Sequence, residues 1–117
     1  MGKRFLINVT VKIINDEVQE IMVSGHGGAK KGNDIVCAAV SALTQTALAA
    51  LLYFEVSGLK WEISEGHFYC LYNPSQGQSE RESIITSTIL TSLVIGLQNI
   101  HKVHPKRINI IKKPQKK

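Results

Sequence analysis

The chain has 117 residues, 44% of them hydrophobic and 20% charged, with a formal net charge of +5; this describes one globular domain with its own core and excludes disordered, fibrous and two-domain organisations. Two cysteines are too few for a disulfide framework, and the opening MGKRFL leads into an alternating pattern rather than a long apolar signal region, so a reducing, cytoplasmic setting is expected. The charge is uneven: residues 102–117 hold seven of the fourteen basic residues and no acid, which leaves seven basic against nine acidic residues in 1–101, a net −2.

Phe5, Ile7, Val9, Val11 and Ile13 alternate with Leu6, Asn8, Thr10 and Lys12, the period of a strand with one face in a core. A polar turn at Asn15 and Asp16 leads to a second strand over residues 18–24, hairpinned to the first. A glycine-laced stretch with Gly25, His26, Gly27, Gly28 and Gly32 follows. Residues 35–54 then carry no charge, with Leu43, Ala47, Leu48, Leu51 and Leu52 at helical spacing, and Asp34 is the N-cap residue type at their start. Residues 59–63 and 67–72 read as two strands around a turn at 64–66. Ser79 and Glu82 form a capping box for a second helix, in which each side chain is expected to satisfy a free N–H of the first turn. That helix covers the uncharged run 83–100 and ends near His101 and Lys102, with Pro105 blocking continuation. Residues 107–111 make a short final strand.

The expected fold class is therefore α+β: an antiparallel-rich mixed sheet with two long helices, in the order β-β-α-β-β-α-β, forming a single domain over 1–111 with a basic C-terminal tail at 112–117. Each helix approaches the ~20 residues of a membrane span. Ser41, Thr44, Gln45 and Thr46 interrupt the first, however, and Thr86, Ser87, Thr88, Thr91 and Ser92 the second. Burial against a sheet, with a subunit interface on the far side, accounts for both without a membrane.

With Asp34 as N-cap, Cys37 falls at the third helical position, where free backbone N–H groups and the helix dipole favour a negative charge. Such positions lower thiol pKa values from about 8.5 to roughly 3.5–7.5, and the same amides are available to a developing oxyanion. His26 is eleven residues upstream across GHGGAKKGNDIVC, whose glycines free the backbone direction. A Cys/His pair is thus within reach, and two unrelated residues in a turn and a buried helix remain the alternative. Asp34 is open between capping and orienting His26, and Ser41, one turn after Cys37, between supporting the thiol and bonding back to a helix carbonyl. The phosphate-binding and dinucleotide glycine patterns both fail, the first at Asn33 and Asp34 and the second at Lys30. His67 with Cys70 would project from opposite faces of a strand, so no metal site is expected there. No cofactor is expected either.

The segment from Gly25 and His26 through DIVCAAVSAL resembles the ribosomal-processing cysteine protease family Prp, and the likeness in length and element order extends over essentially the whole chain. The resemblance implies a cysteine endopeptidase that removes a short N-terminal extension from a large-subunit ribosomal protein, the twenty-seventh by the usual count, before ribosome assembly. It implies Cys37 as nucleophile, His26 as general base and acid, and Asp34 and Ser41 as supporting residues. A loop with Gly25, Gly27, Gly28 and Gly32 would close over an extended peptide, and the protein would form a homodimer. Gly27 departs from the alanine common in the family, and the loop is about a residue shorter than in some relatives. Two other readings stand beside this one: a non-enzymatic ribosome- or RNA-binding module using the basic tail, and a thiol redox sensor at Cys37.

Overall fold

In a computed structural model of the chain, residues 6–25, 34–74 and 79–115 are described. They form β1 (Ile7–Ile14), β2 (Glu17–Gly25), α1 (Ile35–Tyr53), β3 (Leu59–Ser64), β4 (His67–Tyr72), α2 (Glu80–Val103) and β5 (Ile108–Gln115). The five strands make one sheet in the order β3-β4-β2-β1-β5. Three of its pairings are antiparallel and one, β1 with β5, is parallel. The α+β class and the element order expected from the sequence both hold.

The first hairpin turns through Asn15 (φ 52°) and Asp16 (φ 68°). Two consecutive residues in the left-handed region give the turn whose twist matches its flanking strands, and Asn and Asp are among the residues that tolerate it. From there the period-two alternation of the strands decides the layers. Ile7, Val9, Val11, Ile21, Val23, Phe68 and Cys70 are buried against Val36, Val40, Leu48 and Leu51 of α1 and Leu90, Leu93, Val94 and Leu97 of α2. The opposite sheet face carries polar pairs: Lys12 with Glu20 at 3.7 Å, and the Tyr69 hydroxyl donating to Glu20 at 3.1 Å.

By length and composition each helix is apolar enough to cross a membrane. Here each lays one stripe on the sheet, and the two helices meet closely at Gly96, where an added Cβ would come within 2.8 Å of a Leu43 methyl. The stripes turned away from the sheet still carry Ile35, Tyr53, Ile84, Ile95 and Val103 exposed.

The last strand departs from expectation. It starts one residue later and runs four further than the short segment read from the sequence, so residues 112–115, read there as the start of a basic tail, pair with β1 as far as Ile14 opposite Gln115. KKPQ has no strand signal of its own. The β1 backbone supplies the partners, and because β5 is an edge strand the missing Pro114 N–H costs no ladder bond on its outer side. Lys112 and Lys113 also guard that edge against further pairing. Residues 116 and 117 lie outside the described residues.

Candidate active site

The start of α1 is built as a capped thiol position. Asp34 adopts extended backbone (φ −90°, ψ 94°), and its carboxylate Oδ1 accepts the Cys37 N–H at 2.9 Å, while its carbonyl accepts the Ala38 N–H at 3.0 Å. Cys37 is therefore at the third helical position, as the sequence indicated. The capping role of Asp34 is the one the geometry displays. One expectation changes: the Cys37 amide is committed to Asp34, so of the first-turn donors only those of Ile35 and Val36 lack both an intrahelical acceptor and the cap.

The same Asp34 Oδ1 also takes the guanidinium of Arg107, with Nη2 at 3.4 Å. Sequence reasoning missed this residue. It is 73 positions away, with no local pattern to mark it, and only the parallel docking of β5 on β1 brings it to the helix start.

Cys37 is partly buried and lines a cavity of about 80 Å³ together with Ser41 and Gln45 of α1, Ile63 and Ser64 of β3, and Phe68 of β4. Cys37, Ser41 and Gln45 are four residues apart and so form one stripe of the helix. Ser41 does not bond back to a helix carbonyl among the described hydrogen bonds; its hydroxyl accepts from Gln45 Nε2 at 3.4 Å. The back-bonding serves Thr44 instead, whose buried hydroxyl donates to the Val40 carbonyl at 2.9 Å. Helical spacing from Cys37 would have found Gln45. Alongside Ser41 and Gln45 a shallow surface runs over Ala42, Thr46 and Ala49.

The opposite wall is the edge strand. Trp61 and Ile63 pair with the buried Cys70 and Phe68 and therefore point to the helix side of the sheet, yet they remain 47% and 42% exposed. Ile63 lines the thiol cavity, and Trp61 extends the same exposed apolar face of β3 beyond it.

Gly25, the first of the four loop glycines singled out in the sequence, is the last residue of β2. Its φ of +107° and the Leu6 carbonyl, with which a Cβ would collide, both require glycine there. His26, Gly27, Gly28 and Gly32 lie outside the described residues. His67 and Cys70 are on opposite faces of β4, and among the described residues no three His, Cys, Asp or Glu side chains converge in a metal-binding group. The second cysteine has a different character from the first: burial pushes the Cys70 thiol up to about 11.

A sequence model of the family described as cysteine protease Prp matches residues 6–109. No curated protein matches the chain with comparable significance. Among solved structures, the ribosomal processing protease Prp from S. aureus with a covalently linked product peptide is similar at a TM-score of 0.79 and 21% identity, over 92% of this chain and all of that one. The same S. aureus protease with a substrate peptide gives 0.75 and 20% over the same shares. A protein from Streptococcus mutans gives 0.75 and 23%, over 98% of this chain and all of that one. At these identities the structural likeness establishes the fold.

Proposed function

The chain belongs to the cysteine protease Prp family, and from that premise we propose that it is the endopeptidase that removes the N-terminal extension of a large-subunit ribosomal protein, the twenty-seventh by the usual count, using Cys37 and His26 as a dyad. The observation that carries this reading is the placement of Cys37: third residue of a capped helix, at the wall of a cavity, in a chain whose other cysteine is buried. The S. aureus family member bound to substrate and product peptides supports a peptide substrate here as well.

The chemistry is that of a thiol nucleophile. His26 removes the Cys37 proton, the sulphur attacks the scissile carbonyl carbon, and the C–N bond breaks as the imidazolium returns the proton to the leaving amine. Water, deprotonated by the same imidazole, then attacks the thioester and releases the free acid and the thiol. The first-turn amides of Ile35 and Val36 are the oxyanion donors this scheme uses, because Asp34 occupies that of Cys37. The peptide lies between the α1 stripe of Cys37, Ser41 and Gln45 and the exposed apolar residues Trp61 and Ile63 of β3.

We place the protein in the cytoplasm, off the membrane, as a homodimer. Two free thiols suit a reducing compartment, and the exposed apolar residues on the outer helix stripes suit a second copy. Incubation with the extended ribosomal protein tests the activity directly. Mass spectrometry should find a single cut that frees the extension, absent with Cys37→Ala; cleavage that survives Cys37→Ala would overturn the assignment.

A further inference from the structure

The geometry points to Arg107 as a positioning residue for Cys37, acting through Asp34; this rests on the reading of Cys37 as the nucleophile. One carboxylate oxygen, Asp34 Oδ1, holds both the Cys37 amide at 2.9 Å and the Arg107 guanidinium at 3.4 Å. The Asp34 side chain is only 9% exposed. A carboxylate so little exposed needs hydrogen-bonding partners to hold it in place, and Arg107 supplies a charged one across the fold.

Arg107 is itself fixed by its backbone. Its N–H donates to the His104 carbonyl at 3.0 Å, and its carbonyl accepts the Ile7 N–H, also at 3.0 Å. The next residue, Ile108, opens β5 and pairs with Ile7. Ile7 lines the same cavity as Cys37. The main chain of Arg107 is thus tied to the sheet under the cavity, while its side chain reaches the cap of the helix that carries the thiol. That side chain adds a polar tie from the α1 start to the β1–β5 edge, beside the apolar packing of Val36. Without it, Asp34 loses its charge partner, the hold on the third amide slackens, and the sulphur leaves its fixed place. Displacement by about 1 Å at a reacting atom is enough to cost on the order of a hundredfold in rate, so a partial loosening belongs near tenfold.

The function of Arg107 requires positive charge and reach, which Lys shares in part, whereas Gln shares neither. Asp34→Asn provides the second arm, since Asn still caps the helix but no longer presents a carboxylate. The test uses the full-length chain and two readouts: turnover of the extended ribosomal protein, and the rate at which iodoacetamide modifies Cys37 at pH 7. Arg107→Gln should lower kcat roughly tenfold with KM within about twofold, and slow Cys37 alkylation. Arg107→Lys should recover most of both. In an Asp34→Asn background, Arg107→Gln should add less than about twofold, because the partner through which it acts is already gone.

Two results overturn the proposal: Arg107→Gln that lowers only the thermal midpoint and leaves both readouts at wild-type values, or an undiminished effect of Arg107→Gln in the Asp34→Asn background. Should Arg107→Gln fail to fold, Arg107→Lys carries the test with Asp34→Asn as reference: the milder of the two supports the proposal if it is Arg107→Lys and overturns it if it is Asp34→Asn. Should the wild-type chain cut no ribosomal precursor, the alkylation readout still decides the matter for the thiol, so that outcome overturns the proposed substrate and not the role of Arg107.

Discussion

The two cysteines of this chain differ through what surrounds them. Cys70 sits on the buried face of β4, 1% exposed, and burial raises its thiol from 9.0 to about 11. A group held protonated by the fold stabilises it fully below the unfolded value and ceases to do so as pH rises through the folded one. Stability should therefore decline between pH 9 and 11, by up to about 2–3 kcal/mol from this residue alone. Tyr69 and Tyr72, both also raised chiefly by burial, act in the same direction. Denaturant melts at pH 8 and pH 11 should show that decline in the wild type and a shallower one in Cys70→Ala, whatever that variant loses at pH 8; an identical decline would assign it to the tyrosines. At this scale the sequence was informative where a residue acts through its neighbours in the chain. Asp34, Cys37 and Ser41 were legible from helical spacing and capping chemistry. Arg107 was not, because its relation to Asp34 exists only once β5 is docked.

Elements were legible from their periods, and their ends less so. The hydrophobic alternation of β1 and the uncharged runs of both helices set their own identity, whereas β5 continues through KKPQ because β1 offers it a backbone to pair with. The start of α2 is instructive. Ser79 accepts the Glu82 N–H at 3.1 Å, as a capping box requires. The Glu82 carboxylate, expected to reach back to the cap, instead accepts the Ser57 N–H at 2.9 Å, with the hydroxyls of Ser57 and Tyr72 beside it. It thereby ties the turn after α1 to the first turn of α2. The Ser57 amide is the main reason the Glu82 carboxyl lies below its ordinary 4.5, the two hydroxyls adding to it. A lowered carboxyl contributes stability above its unfolded value and loses it as pH falls. Glu82→Gln should cost about 0.5–1 kcal/mol at pH 7, since the site is open to solvent, and the gap to wild type should close as melts are repeated towards pH 3. A gap that stays constant would mean that the carboxylate charge has no part in the link.

For the whole molecule, the sequence specified class and element order because the periodicity is strong and the connections are short. It left open how the sheet is ordered and what the outer helix faces do. Ile84 and Ile95 lie on one stripe of α2, turned away from the sheet and exposed. If that stripe seats a second copy, sedimentation equilibrium should give the mass of two chains and Ile95→Glu should return it to one; a single-chain mass for the wild type at micromolar concentration would exclude the dimer. The basic residues of β5 pose a separate question, and RNA binding through Lys112 and Lys113 would have to weaken steeply with salt. All of this depends on whether the thiol at the helix start is a working nucleophile. The most direct measurement is the rate of Cys37 alkylation at pH 7 in the full chain, followed by mass spectrometry with Cys70 as the internal reference, with and without His26→Ala. Cys37 should react at least tenfold faster than Cys70 and slow severalfold when His26 is removed; a Cys37 rate unchanged by His26→Ala would contradict a Cys37/His26 dyad.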